Sequence, residues 1–173
     1  LNDVKAYTGG AAVDAYLVRD GQANEREPIE SSTTGTTFPV GANTYGNIGV
    51  GILSGLGQGS PPLQYYFSEV AGPANQGRVS HIEVEPPPPE PHAAAISWCP
   101  DLRIEVATTQ SGQQDVYYAE VKAGASSFER TQRQDMQRVA EAYGVLRMRI
   151  DLAALPAEYT VRIDQVNPDR WPG

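Results

Sequence analysis

The chain has 173 residues, which is enough for one domain with a hydrophobic core, and its formal net charge of −8 excludes a globally basic surface for nucleic acid. The single cysteine, Cys99, excludes an internal disulfide framework, and we expect its side chain to be buried beside Trp98. No apolar run approaches the roughly 18 residues of a membrane-spanning helix, so a cytoplasmic location is expected.

Lysine occurs only as Lys5 and Lys122, and the other basic residues are all arginine. An acidic, lysine-poor chain is compatible with a salt-adapted proteome and equally with a GC-rich genome. At high salt the Debye length shrinks to a few Å. In a salt-adapted protein the acidity would therefore say little about partners.

Residues 1–62 are rich in Gly, Ser, Thr and Asn, and we predict a β-leaning extension ahead of a main domain at 63–173. Short strands are predicted at 12–18 and near 37–40, between turn signals. The glycine-rich stretch 41–59 lacks the Lys-Ser or Lys-Thr that completes a phosphate-binding loop. A flexible or tightly turning loop is expected there.

The main domain begins with an ambiguous segment and then a clear strand. The segment "LQYYFSEVAG" (63–72) fits either a short helix or a strand, with its aromatic residues in the core. The segment "RVSHIEVE" (78–85) alternates apolar and polar residues, which predicts a strand. The segment "PPPPEP" (86–91) must be extended polyproline, and we predict a surface crossing or an insertion between strands.

The clearest pattern in the sequence predicts a hairpin followed by a helix. The segment "DLRIEVAT" (101–108) alternates strictly, and after the turn "QSGQQ" the segment "DVYYAEVKA" (115–123) returns as a second strand. Ser126 and Glu129 match a capping box, which predicts the start of a helix. The helix is predicted to continue until Gly144, which takes the position just past its end.

Two more strands are predicted after the helix, at "VLRMRIDL" (145–152) and "YTVRIDQV" (159–166). The resulting order is strand, strand, helix, strand, strand. This order predicts an α/β core with a mixed sheet.

Lys122 lies in a mostly apolar strand, where an ammonium group must be paired or it destabilises the fold. Glu120 lies two residues earlier, so both side chains point to the same face of the strand. Asp101 opens the first strand of the hairpin and should lie near the end of the second. Two carboxylates at one corner suit Mg²⁺, which prefers hard oxygen ligands. The lysine beside them could hold an attacking water or stabilise charge on a phosphate.

Gln132 is the one polar residue on the helix stripe that is predicted to face the sheet. The stripe consists of Phe128, Gln132, Met136, Val139 and Tyr143. A glutamine in this position needs a polar partner, and the corner that holds Glu120 and Lys122 is within its reach.

The segments "PDLRIEV", "YYAEVKAG" and "FERTQRQ" together resemble the PD-(D/E)XK superfamily of restriction-type nucleases, with an E-x-K variant of the motif, over about residues 95–152. The pattern is most similar to the virus-type replication-repair nuclease and Holliday-junction-resolvase-like branch, where a glutamine follows the E-V-K strand. The resemblance implies a restriction-endonuclease-like core, a nuclease that depends on Mg²⁺ or Mn²⁺, and DNA as its partner.

The resemblance also implies roles for individual residues. Four residues match the motif: Asp101 and Glu120 as metal ligands, Lys122 as the catalytic lysine and Gln132 as a supporting polar residue. A further acidic residue from an upstream helix is usual in the family. Glu69 and Glu83 are the candidates here, and the sequence does not choose between them.

Other interpretations stay open at this point. Glu120 and Lys122 could form a purely structural salt bridge, and the fold could be an inactive nuclease-like module for binding or assembly. The arginines of the helix and the next strand either contact phosphates or pair with acids on a solvated helix face. These residues are Arg130, Arg133, Arg138, Arg147 and Arg149, with Glu129, Asp135 and Glu141 as the acidic partners. The oligomeric state is left open.

Overall fold

The computed structural model describes residues 3–8, 18–19, 22–23, 49–50, 53, 60–90, 92, 94–124, 126–151 and 158–172. The strands are β1 (Asp3–Thr8), β2 (Val18–Arg19), β3 (Gln22–Ala23), β4 (Gly77–Val84), β5 (Leu102–Thr108), β6 (Gln114–Ala123), β7 (Gly144–Asp151) and β8 (Glu158–Gln165). The helices are α1 (Pro61–Tyr65), which continues as a π-helical turn at Tyr66–Val70, and α2 (Arg130–Val139). No helix in these ranges is long and apolar enough to cross a membrane.

Within the described residues the main sheet has six strands in the order β1-β8-β7-β6-β5-β4, and β2 and β3 pair separately. The pair β6–β7 is parallel, and the other pairs of the main sheet are antiparallel. A parallel pair needs a crossover connection, which α2 supplies. The predicted α/β class with a mixed sheet is therefore confirmed.

The two faces of the sheet carry different side chains. On β5, Leu102, Ile104 and Val106 are fully buried on one face, as the alternation predicts. This face packs against α1 and the π-helical turn, and we call it the α1 face. The opposite face packs against α2, and we call it the α2 face. Its buried apolar cluster consists of Trp98, Tyr118, Met136, Val139, Val145 and Val166.

The predicted start of the helix is wrong. α2 begins at Arg130 with Glu129 as its N-cap, and Glu129 makes no side-chain capping hydrogen bond. The carbonyl oxygens of Gly124 and Ser126 accept hydrogen bonds from Arg149 Nη1 at 2.7 and 2.6 Å. Because this segment is bound to β7 through its carbonyls, Ser126 lies four residues ahead of the first helical residue.

The predicted end of the helix is also wrong, since α2 ends at Val139 with Ala140 as its C-cap. The amides of Ala142 and Tyr143 both donate to Val139 O, at 3.0 Å each, which closes a turn after the helix. Gly144 is the first residue of β7 and not a helix terminator. Gly144 belongs to the parallel ladder between β6 and β7.

Other expectations have mixed outcomes. Cys99 is exposed, so its predicted burial is wrong, although neighbouring Trp98 is buried. The ambiguous segment at 63–72 is mainly helical. Residues 86–90 lie between β4 and β5 as predicted and form no helix or strand, but Pro86 and Pro89 are buried and not at the surface.

The amino-terminal part of the chain is described only in short pieces. Apart from Val18 in β2, the strands predicted at 12–18 and 37–40 lie outside the described residues. Most of the glycine-rich stretch 41–59 does so too. β1 pairs with β8 in the main sheet, and the boundary between extension and domain stays a prediction.

Gly144 allows an aromatic ring to lie over the start of β7. It pairs with Tyr117 on β6, and a Cβ atom at Gly144 would overlap the Tyr117 ring. That ring also packs edge-on against Phe67, with 4.8 Å between the centroids. Because Gly144 and Phe67 confine the ring from two sides, any movement away from Gly144 would cost free energy.

We expect Gly144→Ala to lower the free energy of unfolding by about 1–3 kcal/mol, because the added methyl group overpacks the core. Urea denaturation would measure the loss. In a Tyr117→Val background the same substitution should cost less than half as much, because the ring is gone. An equal cost in both backgrounds would show that the Tyr117 ring is not the obstacle.

Candidate active site

Asp101 lies one residue before β5 and is fixed by the backbone of β6. Its amide donates to Ala119 O at 2.9 Å, and its Oδ2 accepts from the Val121 amide at 2.8 Å. The carboxyl group is therefore held beside Glu120, the residue between these two partners. The hairpin places the two acids next to each other, as the sequence predicts.

Glu120 lies on β6 with only 7% of its surface exposed, and both of its oxygens have partners. Oε2 accepts from the indole Nε1 of Trp98 at 2.9 Å, and Oε1 accepts from Gln132 Nε2 at 2.7 Å. Lys122 Nζ lies 3.4 Å from Oε1. A buried charge needs such partners, and here they come from three different segments.

Lys122 projects from the α2 face towards an open cleft. Its side chain is 21% exposed, and its Nζ lies 5.6 Å from the centroid of the Phe128 ring. The cleft has a volume of about 300 Å³ and is lined by Ser97, Trp98, Cys99, Lys122, Glu129, Thr131 and Gln132. The lysine is therefore both an ion-pair partner of Glu120 and part of a solvent-accessible cavity.

The surroundings of Asp101 favour its protonated form. Burial first, and then the negative charge of Glu120, raise the pKa of Asp101 to about 7, and the Val121 amide and Lys122 oppose the shift only in part. Without a cation, Asp101 therefore keeps its proton up to about pH 7. A cation beside both carboxyl groups would stabilise their ionised forms.

The donor set suits a hard divalent cation. The amide oxygen Oε1 of Gln132 is buried without a hydrogen-bond partner, although Nε2 of the same amide donates to Glu120. This acceptor and the carboxyl groups of Asp101 and Glu120 are oxygen ligands of the kind that Mg²⁺ prefers. Mg²⁺ usually retains several waters and needs few protein ligands, so two carboxylates are sufficient.

The part of the chain that the structure describes does not add a third acidic residue to the pair in a metal site. Among the described residues, no group of three or more His, Cys, Asp or Glu side chains could hold a metal ion. Glu69 is exposed in the π-helical turn, whose buried residues pack on the α1 face. Glu83 lies on β4 opposite Arg103. Neither candidate completes a metal site with Asp101 and Glu120.

Asp135 is a residue of the site that sequence reasoning misplaced. In one of the two interpretations left open by the sequence it pairs with arginines on a solvated helix face, but it is buried. Its Oδ2 accepts from the amide of Ser97 at 2.9 Å, the hydroxyl of Ser97 at 3.1 Å and the amide of Trp98 at 3.1 Å. Asp135 follows Gln132 by three residues, and this helical spacing was the signal that both face the sheet.

A comparison with protein-family models matches residues 43–166 to the PD-(D/E)XK nuclease superfamily domain. The chain belongs to the PD-(D/E)XK nuclease superfamily. The match covers more than half of the chain and includes every residue of the candidate site. Neither the comparison with curated proteins nor the comparison with solved structures found a match.

Membership of the PD-(D/E)XK superfamily agrees with the architecture. The mixed sheet with α2 on one face is consistent with the restriction-endonuclease-like core that the sequence predicts. The E-x-K residues lie on β6, at the centre of this sheet, and Asp101 lies at the start of the adjacent strand. A nuclease-type function in general follows from the superfamily.

Trp98→Phe should lower the free energy of unfolding by about 1–3 kcal/mol, because Glu120 Oε2 would lose a buried hydrogen-bond donor. Trp171→Phe is the matched control, since the Trp171 ring is half-buried and packs on Phe128. Chemical denaturation of both variants gives the comparison. An equal loss in both would attribute the effect to ring packing and not to the hydrogen bond.

The raised pKa of Asp101 predicts how stability depends on pH in the metal-free protein. The native state retains the proton up to about pH 7, whereas the unfolded chain releases it near the usual aspartate pKa of 3.8. The native state binds more protons between these values, so the free energy of unfolding should fall as pH rises from about 4 to 7. Above about pH 7 Asp101 is ionised in both states, so the free energy of unfolding no longer falls with pH on its account.

Denaturation in EDTA across this pH range measures the effect. Asp101→Asn should remove the decrease that the wild type shows. Asp169→Asn changes an exposed carboxylate after the end of β8 and should keep the wild-type dependence of stability on pH. The same slope in wild type and Asp101→Asn would contradict the assignment.

Proposed function

We propose that this protein is a metal-dependent nuclease that hydrolyses phosphodiester bonds in DNA, with Mg²⁺ as the cation and Mn²⁺ as the alternative. The observation that carries the proposal is a connected group of four polar side chains at the edge of one open cleft. Lys122 and Gln132 line the cleft, both contact Glu120, and Asp101 lies beside Glu120. Superfamily membership supports a nuclease in general, and the donor chemistry supports the metal.

Asp101 and Glu120 would hold the cation, with the Gln132 amide oxygen as a further acceptor near them. When bound, the cation supplies a more acidic water and neutralises charge on the scissile phosphate. Lys122 has the position to stabilise the negative charge that develops on a phosphate oxygen in the cleft. Its ion pair with Glu120, at 3.4 Å, holds the ammonium group at the edge of the cleft.

Trp98 and Gln132 orient Glu120. Their hydrogen bonds fix both carboxylate oxygens, so the ligand geometry is set before the metal arrives. Asp135 fixes the backbone at Ser97 and Trp98 and thereby the indole donor. Two segments, the one before β5 and α2, thus orient one carboxylate.

An inactive nuclease-like module is the alternative function. A purely structural ion pair between Glu120 and Lys122 would require neither an open cleft at the lysine nor a buried amide oxygen without a partner. Both features favour an active site. The virus-type or resolvase-like branch is proposed because Gln132 follows the E-x-K strand, and defence, a mobile element or a toxin-like effector are the proposed settings.

The test is cleavage of labelled single-stranded and double-stranded DNA by purified protein in Mg²⁺, Mn²⁺ or EDTA. The wild type should cut in the presence of metal and be inactive in EDTA. Lys122→Met should reduce the rate by about 100-fold or more, because charge stabilisation of the transition state is lost. Its melting temperature in Mg²⁺ should stay close to that of the wild type.

Arg78→Met is the matched control, because Arg78 is exposed on β4 opposite Ala107, at the end of the sheet away from Asp101. It should cleave as fast as the wild type. The double variant Asp101→Asn, Glu120→Gln should lose the thermal stabilisation that Mg²⁺ gives the wild type. A wild type that is inert on every DNA tried, or a fully active Lys122→Met, would overturn the proposal.

A further inference from the structure

A second basic site lies next to the cleft on the α2 face of the sheet. Arg147 and Arg149 on β7 and Arg162 on β8 line a pocket of about 220 Å³ together with Phe128 and Asp164. Three of the five described lining residues are arginines and one is an aspartate, so the lining is rich in positive charge. The whole chain carries a net charge of −8, so the pocket is a local departure from an acidic surface.

Strand register aligns the basic groups in a row that begins at the candidate catalytic lysine. Lys122 on β6 pairs with Arg149 on β7, and Arg149 pairs with Arg162 on β8. Paired residues of neighbouring strands lie on the same face, with strands about 4.8 Å apart. The row therefore extends directly from the proposed reaction centre across two further strands.

Like charges on directly opposite residues destabilise a sheet, so this row has an energetic cost. Asp164 offsets part of it, because its Oδ2 contacts Arg147 Nε at 3.0 Å and Arg162 Nε at 3.3 Å. Arg149 contacts two backbone carbonyls and lies over the Phe128 ring, 5.9 Å from its centroid. Among the described residues no carboxylate forms a salt bridge with Arg149.

The Phe128 ring lies close to one cation of each site. Lys122 Nζ and Arg149 Cζ lie 5.6 and 5.9 Å from its centroid. A chain of phosphates that enters the cleft at Lys122 would next meet the arginine pocket, since Lys122 pairs with Arg149 and both lie close to this ring. A free phosphate would fill one site, whereas a nucleic acid strand would fill both.

We propose that Arg147, Arg149 and Arg162 bind a backbone phosphate of the substrate strand, adjacent to the phosphate that is cut. This site deepens the proposed function and rests on it, because it assigns the pocket to the same strand. Guanidinium groups bind phosphate oxygens through directional, charge-assisted hydrogen bonds. The pocket sets where the strand lies and does not take part in the chemical step.

The experiment measures binding of a fluorescent DNA duplex in EDTA, which separates binding from cleavage, at several salt concentrations. Arg149→Gln and Arg162→Gln should each weaken binding about tenfold and reduce the slope of log K against log salt by about 1. In Mg²⁺ each should raise KM more than it lowers kcat. Arg78→Gln, which removes an exposed arginine from the far end of the sheet, should change neither value.

Arg162 has a 51% exposed side chain, so Arg162→Gln tests the site even where Arg149→Gln fails to fold. Wild-type affinity and salt slope in folded Arg162→Gln, together with normal cleavage by the wild type, would overturn the phosphate site alone. A wild type that binds duplex through these arginines but never cleaves it would overturn the proposed function alone. Pyrophosphate should raise the melting temperature of the wild type and not of the variants, and an equal rise in both would also count against the site.

Discussion

The buried carboxylate of Glu120 is the constraint on which the α2 face of this protein depends. Water reaches little of it, so its oxygens need donors from the protein, and an unpaired charge there would cost several kcal/mol. The donors come from three places: Trp98 in the segment before β5, Gln132 on α2 and Lys122 on β6 itself. Asp135 then ties α2 to the segment that carries Trp98. One charge thus fixes the relative positions of three elements.

The two faces of the sheet have opposite roles in the energy balance. The α1 face is packed with apolar side chains, and their removal from water drives folding. The α2 face gathers like charges, with Asp101 beside Glu120 and a row of cations on three adjacent strands. Such crowding opposes folding, so the apolar face must offset it. Proteins accept local costs of this kind mainly at functional sites.

Local patterns predict much of this fold. Strict alternation on β5 predicts its buried face, because the pattern involves only residues that are close in sequence. The short hairpin predicts that Asp101 lies beside Glu120, because the start of its first strand faces the end of its second. The spacing of Gln132 on the helix stripe also predicted its partner, because a helix repeats every 3.6 residues.

The features that the sequence could not predict depend on contacts between distant segments. The helix starts late because Arg149 binds the carbonyls of Gly124 and Ser126, and nothing near Ser126 indicates that contact. The indole of Trp98 reaches a carboxylate 22 positions away. The row of arginines exists only because β6, β7 and β8 adopt a particular register, and a shift by one residue would turn the basic side chains to the opposite face.

The pairing of β1 with β8 has a consequence for how the molecule folds. β8 carries part of the basic row, and without β1 it would be an edge strand with unpaired backbone groups. Thr8 and its partner Glu158 are 150 positions apart, so this ladder closes one of the longest loops in the chain. Contacts of such large sequence separation slow folding. We therefore expect the basic row to gain its final rigidity late, after the hairpin that holds the two acids has formed.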